Sequence, residues 1–380
     1  MIRVSTSVVI AASLFAQIAS RAGEIVNPAR AVTEENSDVL WYDIELLGIE
    51  GRGWNDTKAK FDRLPAKAEG VVRGAVWGLS HHSAGMAVRF RTDATTIQAR
   101  WSLTGSNLAM PHMPATGVSG LDLYVKAESG AWRWLANGRP TQFPENRATL
   151  AQGIPVGDRE YLLYLPLYNG VTSVQIGVAK THNLETLPRA ADAKPIVFYG
   201  TSITQGGCAS RPGMVHTAIL GRRLDRPVIN LGFSGNGKIE QEVADLLAEL
   251  DVAVYVIDCL PNMNAEEVAA RTEPLVQTLR DAHPKTPILL VEDRSYSDSF
   301  LVEGKRQRNE SSRQAFREAY QRLVDEGVTG LAYLAGEHLL GDDGEATVDS
   351  SHPTDLGFVR MADAFEPQLK QSLAGDSTQP

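Results

Sequence analysis

The stretch Ile196-Val197-Phe198-Tyr199-Gly200-Thr201-Ser202-Ile203-Thr204-Gln205-Gly206 decides the fold that we predict for this chain. Four apolar residues are followed by small residues and glycine, a pattern typical of a buried parallel strand that ends in a tight turn. The turn places Ser202 at the carboxyl end of the strand, where open α/β sheets bind their ligands. Ser202 is therefore a candidate nucleophile, provided that a base and an oxyanion site lie nearby.

The residues around and after this stretch alternate between strand and helix patterns, which predicts an α/β fold with a doubly wound parallel sheet. The periodicity predicts helices over residues 239–250, 266–282 and 311–326, and a last helix that begins at Pro353. The predicted strands cover residues 196–199, 228–231, 252–257, 288–291 and 331–334.

The chain from residue 40 to about 178 has the pattern of an all-β sandwich. Short alternating apolar runs recur between clusters of glycine, proline and asparagine, and no long helical period interrupts them. The predicted strands cover residues 75–79, 86–90, 96–101, 121–125, 132–135, 159–165 and 173–178. All six tryptophans lie in this part; we expect most of them in its core, with one exposed exception that could stack on a sugar.

Composition and charge limit the possible functions and suggest three segments. The net charge of −9, without a cluster of basic residues, argues against nucleic-acid binding. Residues 1–22 combine Arg3, an apolar run and a small-residue end, which is typical of a secretory signal peptide; a buried N-terminal helix is the alternative. We therefore expect a signal peptide over 1–22, a β-sandwich domain over 23–185 and an α/β domain over 191–372. A polar linker is expected over residues 181–194, and no membrane span is expected.

Asp349 and His352 are the candidates for activating the serine. They lie three residues apart after the last predicted strand, so one turn of chain places both side chains on the same side. Asp349 can then hold one imidazole nitrogen while the other faces Ser202, which is the logic of a catalytic triad.

Two further turns supply candidate donors for an oxyanion. Gly235 lies in a glycine-rich turn after the second strand, where a backbone N–H points at the catalytic face. A phosphate loop is the alternative for this turn, but the Gly-Lys-Ser/Thr arrangement is missing. Asn262 follows the third strand and puts an amide on the same face, unless it is only a turn residue.

Four ordered blocks give the chain a resemblance to the SGNH (GDSL-like) hydrolases, an esterase family with a flavodoxin-like fold. The blocks are Gly200-Thr201-Ser202-Ile203-Thr204, Gly232-Phe233-Ser234-Gly235, Asp258-Cys259-Leu260-Pro261-Asn262 and Asp349-Ser350-Ser351-His352-Pro353. The resemblance covers residues 191–372. It implies Ser202 as nucleophile, His352 as base and Asp349 as the partner that orients the base.

The same resemblance implies an oxyanion hole made of the backbone N–H groups of Ser202 and Gly235 and the side-chain amide of Asn262. Thr201 stands where many members of the family have aspartate. Any role of that aspartate is therefore in doubt here, whereas the acid assigned to Asp349 is unaffected.

A second motif, Gly120-Leu121-Asp122-Leu123-Tyr124, resembles the GxDLY motif of a jelly-roll-like β-sandwich found ahead of some SGNH hydrolases. Members with this arrangement are exported bacterial enzymes, and several carbohydrate esterases share the catalytic fold. The resemblance implies a secreted serine esterase, periplasmic or extracellular, and we expect a carbohydrate O-acetyl esterase. A lipid or lysophospholipid esterase and a non-catalytic carbohydrate-binding protein on the same fold are the alternatives.

No metal or other cofactor is expected for this chemistry. His81 and His82 lack nearby acidic or cysteine partners, so we interpret them as solvated surface residues rather than metal ligands. Cys208 and Cys259 are expected near the carboxyl ends of adjacent strands. The sequence is compatible with a disulfide between them and equally with two free buried thiols. Residues 293–296 are interpreted as a surface loop, with substrate contact as the alternative.

Overall fold

A computed structural model describes residues 23–190 and 192–376, and the expected signal peptide over residues 1–22 lies outside them. The described residues form two antiparallel sheets followed by one parallel sheet with its helices. None of the helices described is both long and apolar enough to span a bilayer.

The first part of the chain is a sandwich of two antiparallel sheets. One sheet has the order β1-β2-β10-β5-β8, the other has the order β11-β4-β9-β6-β7, and β3 pairs with β4. In β5 every second residue is buried, because successive side chains point to opposite faces of a strand. The strands are β1 (Val32–Thr33), β2 (Val39–Asp43), β3 (Ile49–Glu50), β4 (Ala87–Thr92), β5 (Thr96–Leu103), β6 (Leu121–Lys126), β7 (Trp132–Gly138), β8 (Glu145–Gln152), β9 (Arg159–Tyr164), β10 (Val171–Ala179) and β11 (Leu184–Thr186).

The second part is the predicted doubly wound α/β fold. Its strands are β12 (Ile196–Gly200), β13 (Val228–Gly232), β14 (Val254–Asp258), β15 (Ile288–Val291) and β16 (Leu331–Leu334). They are all parallel, and the order β13-β12-β14-β15-β16 is the flavodoxin-like order. All five residues of β12 are buried, as expected for a strand covered on both faces.

Eight α-helices accompany the sheets in the described ranges. Helices α4 and α8 cover one face of the parallel sheet, and α5, α6 and α7 cover the other. The helices are α1 (Gly74–Ser80), α2 (Ala115–Val118), α3 (Ser202–Gln205), α4 (His216–Arg223), α5 (Gln241–Leu247), α6 (Ala265–Ala282), α7 (Glu303–Asp325) and α8 (Asp355–Asp376).

The strand predicted over residues 75–79 is wrong, because this segment is helix α1. Val76 and Ser80 are its buried residues, and their spacing of four is that of one helical face. Val76 packs in the core of the α/β part together with Trp54 and Leu247. Tertiary packing against the α/β layer, and not local propensity, decides the structure of this segment.

Other predicted boundaries also change. Helix α7 begins at Glu303 rather than near residue 311, and α8 begins at Asp355. Pro353 precedes α8 and forms a β-bridge with Thr347. The polar linker contains β11, which pairs with β4. Strand β8 was not predicted, because an edge strand with one polar face lacks a strong apolar pattern.

The expectation of one exposed tryptophan is met by Trp134, whose exposed fraction is 49%. Trp41, Trp54 and Trp101 are buried, and Trp77 and Trp132 are half-buried. This burial agrees with a mainly structural role for the other five tryptophans.

The GxDLY motif lies at the junction between the sandwich and the α/β part. Asp122 is fully buried and accepts hydrogen bonds from Arg211 Nη1, Gly213 N and Trp134 Nε1, each at 2.8 Å. The Tyr124 hydroxyl accepts a bond of 2.5 Å from the same guanidinium. Arg211 belongs to the loop that follows α3, so the motif ties the sandwich to the chain just after Ser202.

We expect Asp122→Ala to lower the free energy of unfolding by about 3 kcal/mol, because it leaves a poorly solvated Arg211 without its partner. Urea unfolding measures this change. Lys58→Ala is the control, since it breaks an exposed pair with Glu69 and should cost less than about 1 kcal/mol. An Asp122 variant as stable as the Lys58 variant would contradict this role for the motif.

Candidate active site

Ser202 is the first residue of α3, directly after β12, an inner strand of the parallel sheet. The Thr201 hydroxyl caps this short helix by accepting a bond of 3.2 Å from Ile203 N. Thr201 thus has a structural role at the position where many family members carry aspartate. Gly200 is required before it, because a Cβ there would lie 2.0 Å from Thr204 Oγ1.

The structure brings Ser202, His352 and Asp349 together. Ser202 Oγ lies 2.8 Å from His352 Nε2, and His352 Nδ1 lies 2.8 Å from Asp349 Oδ2. This is the donor and acceptor order of a triad, with the imidazole between hydroxyl and carboxylate. Ser202 follows β12 and the other two residues belong to the loop before α8, so the α/β fold brings together Ser202 and His352, which are 150 positions apart in the chain.

The carboxylate of Asp349 is also bonded to the backbone of its own loop. Asp349 Oδ1 accepts from Ser351 N at 3.1 Å and from His352 N at 2.8 Å. Partial burial raises the pKa of Asp349, but the bonds from the His352 backbone and imidazole outweigh burial, and the pKa lies below its usual value. Asp349 is therefore a stable anion that holds the imidazole in one orientation.

The predicted oxyanion donors are available at the same edge of the sheet. Within residues 23–190 and 192–376, no protein acceptor bonds to the backbone N–H of Ser202 or Gly235. Gly235 has a φ of +69°, a left-handed conformation that favours glycine. With the Asn262 amide in the orientation that satisfies its neighbours, its oxygen accepts from Asn236 N at 3.0 Å and Gly237 N at 3.3 Å. The NH₂ group of Asn262 then remains free to donate.

Segments that precede the parallel sheet in the chain hold two turns of the site in place, the one that carries Ser202 and the one that carries Ser234 and Gly235. The Tyr168 hydroxyl donates to the backbone oxygen of Ser202 at 3.0 Å. Gln205 Nε2 lies 3.0 Å from His82 Nδ1, and Gln205 Oε1 accepts from Ser234 N at 3.0 Å. Burial lowers the pKa of His82 to about 4, so the ring is neutral and Nδ1 can accept. The interpretation of His82 as a solvated surface residue is therefore wrong.

His81 also has a structural partner, because its Nδ1 lies 2.8 Å from Asp62 Oδ1 and its ring packs against Trp77. The exposed fraction of its side chain is 39%, against 3% for Asp62. His81 is therefore bonded to a buried carboxylate rather than simply solvated, and the two adjacent histidines have different partners.

Arg294 supports the loop that carries Asp349 and His352, a role that the sequence did not indicate. Its side chain is buried and donates to the backbone oxygen of Ser351 at 3.1 Å and to the Ser351 hydroxyl. Asp293 pairs with the same guanidinium. The interpretation of residues 293–296 as a surface loop is therefore wrong for its first two residues.

Both cysteines are free thiols, so the disulfide alternative is wrong. Cys208 packs with the residues under α4 and α8, whereas Cys259 packs on the opposite face of the sheet under α5 and α6. The sheet between them prevents their sulfur atoms from meeting. Burial, aided by the charge of Asp349, raises the pKa of Cys208 to about 12.

His112 also reaches the site, although it belongs to the sandwich part. It lies in a turn closed by reciprocal backbone bonds between Met110 and Met113. Its ring centroid is 5.8 Å from that of His352, and its side chain is exposed. The sequence offered no signal for this contact, because residues 104–118 form a connection without a recognisable pattern.

Asp258, at the end of β14, is a buried carboxyl group below the turn that carries Ser202. Its Oδ2 accepts a bond of 2.9 Å from Thr204 Oγ1 and lies 3.9 Å from His216 Nε2. Burial, aided by the charge of Asp293, raises the pKa of Asp258 to about 7. Burial also lowers the pKa of His216 to about 3, so both side chains are uncharged in mildly acidic solution.

Comparison with protein families identifies two regions. The model of the GDSL-like lipase/acylhydrolase family matches residues 193–370. The model of the GxDLY family, described as the N-terminus of SGNH-hydrolase-type esterases, matches residues 39–184. No curated protein sequence matches the chain.

Three solved structures illustrate what the chain is similar to. A GDSL-like lipase from Bacteroides ovatus is 33% identical, with a TM-score of 0.84 over 88% of this chain and 98% of that chain. A salicylyl-acyltransferase from a tetracycline biosynthetic pathway is 18% identical, with a TM-score of 0.67 over 92% of this chain and 98% of that chain. A family two carbohydrate esterase from Clostridium thermocellum, in complex with cellohexaose, is 14% identical, with a TM-score of 0.56 over 77% and 94%. The last two share the fold.

We expect Asn262→Ala to lower kcat for p-nitrophenyl acetate by about 10²–10³-fold with a smaller change in KM, because it removes one oxyanion donor. Steady-state kinetics measures both constants. Asn264→Ala is the matched control: Asn264 caps α6, and its loss should cost about 1 kcal/mol of stability without lowering kcat. Equal kcat values for the two variants would contradict the role of Asn262.

Asp258 gives a prediction about pH. Between about pH 4 and 7 the folded protein keeps a proton on Asp258 that the unfolded chain has released, so this group makes folding less stable as pH rises through that range. Asp258→Asn should remove the effect, and the stability of wild type relative to the variant should fall by a few kcal/mol between pH 4 and 8. Urea unfolding of both proteins tests this, and His216 contributes equally to both. A difference independent of pH would contradict the raised pKa.

Proposed function

Because the chain belongs to the GDSL-like lipase/acylhydrolase family, we propose that it is a serine esterase with Ser202 as its nucleophile. The observation that carries the proposal is the continuous pair of hydrogen bonds from Ser202 through His352 to Asp349, each of 2.8 Å. Each group has the partner that its role in ester hydrolysis requires.

The proposed reaction has two halves. Ser202 Oγ attacks the ester carbonyl carbon while His352 Nε2 takes the hydroxyl proton, and Asp349 stabilises the imidazolium that forms. The oxyanion receives hydrogen bonds from Ser202 N, Gly235 N and the Asn262 amide. His352 then gives its proton to the leaving alcohol, which departs and leaves an acyl group on Ser202. Water, deprotonated by His352, attacks this acyl group and releases the acid.

We propose an O-acetylated carbohydrate as the substrate. His352 and Asp349 lie at the surface, with exposed fractions of 25% and 41%, whereas Ser202 lies just beneath it at 9%. An open site accepts a short acyl group on a bulky alcohol, whereas a long acyl chain needs a deep apolar channel. The fold shared with a carbohydrate esterase supports the same class of substrate. Export, directed by the expected signal peptide, would bring the protein to such polymers.

We expect Ser202→Ala to reduce turnover of p-nitrophenyl acetate by about 10⁴-fold or more, to the rate supported by binding and the oxyanion donors alone. Ser311→Ala is the control, because Ser311 is exposed on α7, and it should retain the wild-type rate. Equal rates for Ser202→Ala and wild type would contradict the proposed nucleophile.

The substrate class is tested by two comparisons with the wild-type protein. Acetate release from a panel of acetylated polysaccharides should exceed that from the Ser202→Ala variant, and kcat/KM should be higher for acetyl than for octanoyl esters. Preference for octanoyl esters would favour the lipid esterase instead. Binding of polysaccharide without any ester hydrolysis would indicate a non-catalytic carbohydrate-binding protein.

A further inference from the structure

Three side chains at the catalytic edge form a cluster that the esterase mechanism does not require. They are His112 from the sandwich part, Cys208 from the loop after α3, and His352. One ligand atom of each residue, an imidazole nitrogen or the sulfur, lies within 4.8 Å of those of the other two. His112 is exposed and Cys208 is buried, so the cluster extends from the surface down to the first layer of the core.

The donor set of this cluster suits zinc. Two imidazole nitrogens and one thiolate are ligands that Zn²⁺ prefers, and three protein ligands leave a fourth position for water. At zinc–ligand distances of about 2.0–2.3 Å, neighbouring donors in a tetrahedron lie roughly 3–4 Å apart. Because no two of the three ligand atoms lie more than 4.8 Å apart, a shift of less than about 1 Å by each of them would bring the cluster to this spacing.

His352 already has the orientation of a metal-binding histidine. Its Nδ1 is bonded to Asp349 and its Nε2 faces Ser202, so Nε2 is the nitrogen that an ion can take in place of the Ser202 hydroxyl. A carboxylate behind one imidazole nitrogen fixes the ring and makes the other nitrogen a better ligand in many zinc sites. The arrangement that prepares His352 to accept a proton therefore also prepares it to bind a cation.

We propose that His112, Cys208 and His352 bind a zinc ion that reversibly inhibits the enzyme, an inference whose inhibitory part rests on the proposed esterase function. On binding, the Cys208 S–H bond breaks, its proton goes to solvent, and a Zn–S bond forms. His352 Nε2 gives its lone pair to the ion and can no longer accept the proton of Ser202. The ion and the Ser202 hydroxyl thus compete for one nitrogen, which makes the ion an inhibitor and not a cofactor.

Ion binding is tested in the Ser202→Ala variant, which keeps all three ligands and removes the competing hydroxyl. Calorimetric titration with Zn²⁺ should give one ion per chain, and Co²⁺ should give a thiolate-to-metal charge-transfer absorption. His112→Ala and Cys208→Ala, each added to this variant, should weaken zinc binding by about tenfold or more, and Cys208→Ala should abolish the absorption.

The matched control is His338→Ala in the same background, which removes an exposed imidazole that pairs with Asp342 elsewhere on the surface. It should leave zinc affinity unchanged. Unchanged affinity after loss of His112, or loss of affinity in the His338 variant, would overturn the assigned site. Removal of the exposed His112 carries little risk to folding, so its result is decisive even if Cys208→Ala is unstable.

Inhibition is tested with p-nitrophenyl acetate, and each protein is compared with its own metal-free rate. Zn²⁺ should inhibit the otherwise wild-type protein, EDTA should restore the rate, and His112→Ala should raise the half-inhibitory zinc concentration about tenfold. Zinc that binds at these residues without slowing turnover would overturn the inhibitory role. A protein that binds zinc here but hydrolyses no ester would instead contradict the proposed function and leave the ion site standing.

Discussion

The position of β12 between two parallel neighbours governs the geometry of the site. Strand β12 pairs with β13 on one side and with β14 on the other. This is the point at which the strand order of the open sheet reverses, where such folds bind their ligands. Because the three strands are parallel, the turns that follow them all lie at the carboxyl end of the sheet. These turns carry Ser202, Gly235 and Asn262. The loop before α8 brings His352 to the same edge. The proposed catalytic arrangement is thus a consequence of strand order more than of any single contact.

Sequence reasoning succeeded where one local pattern determines the structure. The buried strand before Ser202, the spacing of Asp349 and His352, and the turns after β13 and β14 all follow from residues close together in the chain. It failed where contacts between segments far apart in the chain determine the structure. Helix α1 had the apolar alternation of a strand, and its helical face is defined only by packing against the α/β core. The residues around Arg294 have the pattern of an ordinary loop, and the contact of Arg294 with Ser351 depends on the fold.

A buried guanidinium group joins β13 to the segment at the end of α1. Arg63 is buried and donates to four backbone oxygens: its Nη1 bonds the oxygens of Asn230 and Gly232 in β13, and its other nitrogens bond those of Leu79 and His82. Burial lowers the pKa of Arg63 to about 9. A guanidinium held by carbonyl groups in this way joins chain segments that contain no complementary carboxylate. Such bonds cannot be inferred from charge patterns in a sequence.

The bonds that Tyr168 and His82 make with the turn of Ser202 have an evolutionary meaning. A module attached by a linker alone can be replaced without disturbing the site of its neighbour. Here the preceding segment supplies hydrogen bonds to the backbone of the nucleophile and to Gln205, and its buried Asp122 holds the next loop. A recombination event between residues 186 and 196 would therefore separate Ser202 from the groups that position its turn.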